Sequence, residues 1–234
     1  MRSNENTKRE IKDIIIADAV LIIAFSMTLS GGIFGLSRGS PFGFAVLIPA
    51  VALGVSLSFI LHELMHKFVA QHYGAIAGFR TSYNGLIVTL LTGAFGFLLG
   101  IPGATMIYTN SFTKRENGIV SIAGPLTNFV VFGIFVGLLL VLNPPAGSYA
   151  AYAIQLTIFI SILLAFFNML PIYPLDGSKV LSWNKEVYLI TMDTIFVLML
   201  AFKVINIIDV VFMVGIAIFF SYFLPIRCLE SISR

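Results

Sequence analysis

His62-Glu63-Leu64-Met65-His66 sets two imidazoles four residues apart, with a carboxylate beside the first. On a helix, positions i and i+4 share one face, which lets both rings grip one zinc ion. The glutamate between them can act as general base toward a water activated at that metal. Residues 45–61, just before the motif, carry no charge. Ionisable groups beside so apolar a stretch are expensive to keep there, which marks them as functional. Two of the chain's three histidines fall in this motif.

A catalytic zinc usually takes three protein ligands and leaves a position open for water. The third ligand must lie at the depth of His62 and His66. Asp176 meets that condition, because it follows an apolar segment running in the same direction as the one that carries the histidines. It ends the run Asn168-Met169-Leu170-Pro171-Ile172-Tyr173-Pro174-Leu175-Asp176. Neither proline can continue a helix, so the backbone is expected to unwind there and aim the carboxylate back at the metal. Asp18, Asp193 and Asp209 have no such surroundings. His72 is expected at the membrane interface rather than on the metal.

The elements that position these groups are apolar helices. Hydrophobic residues make up 58% of the 234 residues and charged ones 11%, against about 25% charged in a soluble domain. Mean hydropathy is +0.98. Seven apolar segments cover residues 14–36, 42–70, 86–108, 119–142, 149–170, 187–202 and 207–224. Most are long enough for roughly 30 Å of hydrocarbon. The expected fold is therefore an all-α polytopic membrane protein, a single domain over 1–234 with its core at 42–186. Spans and short loops leave no room for an appended soluble domain. The first segment reads as a retained span, not a cleaved signal. One cysteine, Cys228, excludes an intrachain disulfide. The net charge of +3 reads as topology, and no basic cluster with interleaved aromatics points to nucleic acid.

The third segment decides the topology. If it does not cross, every Lys and Arg except Arg38 and Lys203 falls on the cytoplasmic side. If it crosses, Lys114, Arg115, Lys179 and Lys185 move outside and the asymmetry largely collapses. The positive-inside rule favours the first arrangement. Gly93, Gly96, Gly100, Pro102 and Gly103 also suit a broken, re-entrant element better than a straight helix. The expectation is about six spans with both termini cytoplasmic. A re-entrant element follows the zinc-motif helix, with Tyr83-Asn84-Gly85 as a turn and 104–108 as a short strand. Asp193 falls inside a later span. Gly133 and Gly137 form a small-xxx-small pair expected to pack against a helix of the same chain.

H-E-x-x-H in one membrane helix, with N-x-x-P-x-x-P-L-D-G in a later one, resembles the site-2 protease family of intramembrane zinc metalloproteases (peptidase family M50). Ile122-Ala123-Gly124-Pro125-Leu126-Thr127-Asn128 is similar to that family's A-G-P-x-x-N stretch. The three motifs run in the family's order between about residues 57 and 179. The resemblance implies one zinc per chain on His62, His66 and Asp176, Glu63 as general base, and Asn168 holding substrate or the oxyanion. It implies transmembrane proteins as substrates, cut within their spans in the lipid bilayer of the cell membrane. The active site is expected to open to the cytoplasm, because in the favoured topology the ligands lie near that face. Ser178 departs from the pattern, where many members have a second glycine. Asn128 is expected to bond backbone freed near Pro125. Two other readings have their own signatures. An inactive relative that only binds membrane helices would lack a ligand or the glutamate. A transporter would carry repeat symmetry and polar residues along a whole transmembrane path.

Overall fold

The computed structural model describes residues 2–109 and 112–204. The described residues up to Ile195 form one compact unit, and the chain from Phe196 on falls outside it. The expected last span at 207–224 lies outside the described residues. Helix α1 (Arg2–Leu29) is followed by a short α2 (Gly32–Arg38), then by α3 (Pro41–His72), which carries the H-E-x-x-H motif. Strand β1 (Ile76–Thr81), helix α4 (Tyr83–Ala94) and strand β2 (Gly103–Tyr108) come next. The chain continues through α5 (Lys114–Leu142), α6 (Tyr149–Asn168), α7 (Asp176–Trp183) and α8 (Lys185–Ala201).

Among the described residues three helices, α3, α5 and α6, are long and apolar enough to cross a membrane. Helices α1 and α2 together make a fourth candidate, bent by 65°. The apolar segment at 14–36 is thus not one straight span. The bend falls at Gly31 and Gly32, which have φ of 80° and 69°, a conformation that favours glycine. Helix α8, with 17 residues, is shorter than these.

Helix starts follow their local chemistry. Pro41 opens α3 at the first position, where no amide hydrogen is needed. Thr113 and Glu116 form a capping box on α5, and the Ser148 hydroxyl accepts from the Ala151 amide at the start of α6. Pro49 and Pro125 lie inside α3 and α5 without ending them, as is tolerated where neighbouring helices cover the freed backbone groups.

Helices α3, α5 and α6 pack mutually, and α1 lies against α3 and α4. Gly54 lets α3 approach α6 closely, since a Cβ there would fall 2.9 Å from Ile160 Cδ1. Ser58 and Ser161 share a hydrogen bond of 2.8 Å across the same contact. Leu21 and Phe25 of α1, Val51 and Val55 of α3, Phe79 of β1 and Ile160 of α6 fill the shared core.

The segment after α3 leaves and returns. Strands β1 and β2 pair antiparallel, from Ile76 opposite Tyr108 to Thr81 opposite Gly103. The Ser82 amide donates to Pro102 O at 3.1 Å. Everything from 82 to 102 is therefore a closed excursion whose two ends touch. Its helix α4 has 12 residues, about 18 Å at 1.5 Å per residue, short of a bilayer's roughly 30 Å. The expected short strand is present as β2. Tyr83 to Gly85, expected as a turn, instead forms the first turn of α4, because the Ser82 hydroxyl caps it by accepting from the Gly85 amide at 3.2 Å. Strand β1 was not anticipated. Gly133 and Gly137 do not pack within the described chain, since a Cβ at either would meet nothing within 4 Å.

Candidate metal centre

His62 and His66 project from one face of α3, one turn apart, and both are buried. Their Nε2 atoms lie 3.0 Å apart. Asp176 opens α7, after the chain leaves α6 at Asn168 and crosses Pro171 and Pro174 without helix. Its Oδ2 lies 3.3 Å from His62 Nε2 and 3.0 Å from His66 Nε2. The unwound backbone thus returns the carboxylate to the histidines, as the sequence led us to expect. Gly177 makes this possible. A Cβ there would fall 2.1 Å from Met169 O, so α7 tucks under the end of α6 only with glycine. The next residue, Ser178, needs no such close approach, and its hydroxyl donates to Leu175 O at 2.7 Å.

The donor set fits a zinc ion. Three ligand atoms each about 2.0–2.2 Å from a tetrahedral ion stand roughly 3.4 Å apart, and the three spacings here are 3.0, 3.0 and 3.3 Å. Gly124 lets α5 pass directly against both imidazole rings. A Cβ at Gly124 would lie 2.5 Å from Nε2 of both histidines. His66 Nδ1 is 2.7 Å from Val120 O. Donation of Nδ1–H to that carbonyl fixes the tautomer whose Nε2 lone pair faces the metal. The other Asp176 oxygen, Oδ1, lies 3.7 Å from Lys179 Nζ.

Glu63 sits between the ligands in sequence and is half-buried. Thr105 of β2 gives it two hydrogen bonds, from the amide at 3.0 Å and from the hydroxyl at 2.8 Å, both to Oε2. Nothing in the sequence singled out Thr105. Gly124 stood inside a recognised motif, but its contact with the histidines depends on how α5 crosses α3.

Other residues raised by the sequence have their own partners or surroundings. Asn168 ends α6, half-buried, and its Nδ2 donates to Leu164 O at 2.9 Å. Asn128 does not serve backbone freed near Pro125. It is fully buried, and with its amide oxygen and nitrogen assigned from the groups around them, the nitrogen donates to Ser58 O at 2.8 Å and the oxygen accepts from the Ala165 amide at 3.3 Å, joining α5 to α3 and α6. His72 is exposed at the end of α3, edge-on to Tyr73. Asp193 is exposed on α8.

Two histidines one helical turn apart, a distant aspartate closing the triangle and a glutamate within the motif define a metalloprotease-type centre set among membrane helices. Relatives agree with that class. The chain is 42% identical over 185 residues to the "Putative zinc metalloprotease MJ0611" of Methanocaldococcus jannaschii, covering 79% of this chain and 89% of that one. Proteins of the same description are YwhC of Bacillus subtilis, 33% identical over 58% of this chain and 69% of its own, and Rip2 of Mycolicibacterium smegmatis, 27% identical over 74% and 73%. No family model matches the chain, and no solved structure matches it. The chain belongs to the site-2 protease family of zinc metalloproteases. Its resident ion is zinc, one per chain, and His62, His66 and Asp176 form a site able to hold it.

Proposed function

We propose that the chain is an intramembrane endopeptidase that cuts the membrane-spanning segments of other proteins. The observation that carries this reading is the meeting of His62, His66 and Asp176 at one buried point on membrane-length helices, with Glu63 beside it. Bound there, zinc supplies a Lewis acid that activates water near neutral pH. Glu63 accepts the proton of the attacking water and returns it to the leaving amine as the C–N bond breaks. Val120 O orients His66. Asn168 holds the substrate or the developing oxyanion; one of its two amide hydrogens is engaged by Leu164 O, and the other, with Oδ1, is left for that task.

The arrangement in the membrane follows from the charges and the closed excursion. We assign about six spans, both termini cytoplasmic, and a re-entrant element at 82–102 whose ends meet at Thr81 and Gly103. We assign the catalytic core to residues 42–186. The active site then opens to the cytoplasm, where water enters.

Glu63→Gln tests the reading. It keeps size and hydrogen bonding but removes the base. Cells carrying wild-type or Glu63→Gln protein should differ in the processing of membrane-anchored proteins, and the purified variant should keep its zinc and fold while losing cleavage. Wild-type turnover in Glu63→Gln would refute the mechanism. A wild-type protein that binds membrane helices and cuts none would make it an inactive relative.

A further inference from the structure

We infer that Thr105 is the positioning residue of the general base, an inference that rests on the assignment of Glu63 to that role. The Thr105 amide donates to Glu63 Oε2 at 3.0 Å, and its hydroxyl lies 2.8 Å from the same oxygen and 3.1 Å from the Glu63 backbone O, the shorter contact being the one to the carboxylate. Among the described residues no hydrogen bond takes Oε1. One oxygen is clamped and the other is left to receive a proton.

The clamp is built into the sheet. Thr105 stands opposite Phe79 in the β1–β2 register. Directly opposed residues in an antiparallel pair either exchange both their hydrogen bonds or exchange none. This pair exchanges none, because the Phe79 amide goes to Glu10 Oε1 and the Thr105 amide goes to Glu63. Alternation puts the Thr105 side chain on the more buried face of β2, with Gly103 and Ile107. Its hydroxyl therefore reaches Glu63 from the same residue as its amide. Strand β2 cannot drift from this place easily. At Gly103 the backbone lies so close to β1 that a Cβ would fall 2.3 Å from Arg80 O. The carboxylate is thus oriented by a strand, not by a free side chain, and a clamp of this kind restricts the rotamers of a long acidic side chain.

The alternative is that Glu63 merely satisfies a sheet edge. Two variants separate the roles. Thr105→Val removes the hydroxyl but keeps the amide and the β-branched shape; Thr105→Ser keeps the hydroxyl. The assay uses a reconstituted transmembrane peptide that the wild type cuts. Thr105→Val should lower kcat about 10- to 100-fold, the scale for losing a partner that orients a site residue. KM should stay within about twofold and zinc at one per chain, and Thr105→Ser should recover most of the rate. A second readout needs no turnover. Amide hydrogen exchange at Thr105 should quicken in metal-free Glu63→Ala while exchange at Ala104 and Met106 holds steady. Wild-type kcat in Thr105→Val, a loss carried by KM or by zinc, or unchanged exchange at Thr105 in Glu63→Ala would each overturn the inference. Cleavage by Glu63→Gln would instead remove the base assignment, with the exchange result still reporting whether the clamp exists.

Discussion

Phe79 and Thr105 face each other across the two-stranded sheet, and each turns its amide outward to a glutamate. Phe79 donates to Glu10 at 3.2 Å and Thr105 to Glu63 at 3.0 Å. Glu10 also takes two hydrogen bonds from Lys67, at 2.7 and 2.8 Å. Lys67 is one turn after Glu63 on α3. The sheet is thereby held at both edges against the metal-bearing helix, with α1 closing one side. Asp13 adds to this, accepting on its backbone oxygen from the Thr81 hydroxyl at 2.8 Å.

The first prediction tests that grip. Glu10 is buried, and Glu10→Ala leaves both the Lys67 ammonium and the Phe79 amide without their acceptor. Removing one partner of a largely buried pair strands the other, at a cost of about 2 kcal/mol or more. Denaturant titration in detergent should show that loss, with faster amide exchange across β1. Glu10→Gln, which keeps an acceptor for Phe79, should lose less. Wild-type stability in Glu10→Ala would mean that α1 does not hold the sheet.

A second prediction concerns metal occupancy. Gly124→Ala adds one methyl group within 2.5 Å of both ligand nitrogens. Alanine favours a helix over glycine by about 1 kcal/mol, so α5 itself should not suffer. The expected outcome is a folded protein with much less than one zinc per chain by elemental analysis, and little cleavage. His66→Ala should also lose zinc, and Asp176→Ala should bind it more weakly, restored only by excess metal. Full zinc in Asp176→Ala would remove that residue from the ligand set, and full zinc in Gly124→Ala would show that α5 and the rings absorb the methyl group without losing the ion.

Much of this centre was legible because its pieces are local. The i, i+4 spacing of His62 and His66 is a property of any helix, and Pro171 and Pro174 announce the break that frees Asp176. What stayed hidden depends on contacts between distant segments. Strand β1 holds an alanine, a glycine and an arginine among its six residues and forms because β2, some 25 residues on, pairs with it. Thr105 gains its role only from that register. Asn128 was read as serving its own helix near Pro125, yet it bonds to α3 and α6, because a buried amide goes wherever packing leaves an unpaired group.

Topology gives a third prediction. With Cys228 replaced by serine, single cysteines at Thr113 and at Ser182 should react with an impermeant maleimide only when the cytoplasmic face is open to it. A cysteine at Ser37, between the first two apolar segments, should react from outside. Reaction of the Thr113 site from outside alone would show that the 86–108 segment crosses the membrane, despite the closure of its ends at Thr81 and Gly103.

The last prediction concerns what the site can cut. A transmembrane helix satisfies its own amides, and its carbonyls are shielded inside the helix. Attack from a fixed metal centre requires an extended peptide, so a substrate must unwind locally, at several kcal/mol for unpaired amides in hydrocarbon. The centre offers one place to recover part of that cost. Strand β2 lies beside Glu63, and its outward groups near the bound Thr105 amide could pair with an extended segment. Substrates that carry Gly, Pro or Asn in the cytoplasmic third of their span should therefore be preferred. Replacing those residues by Leu should slow cleavage strongly and leave binding largely intact, as measured by turnover and by capture on the Glu63→Gln protein. An all-Leu segment cut as fast as one with helix breakers would show that unwinding does not limit the reaction.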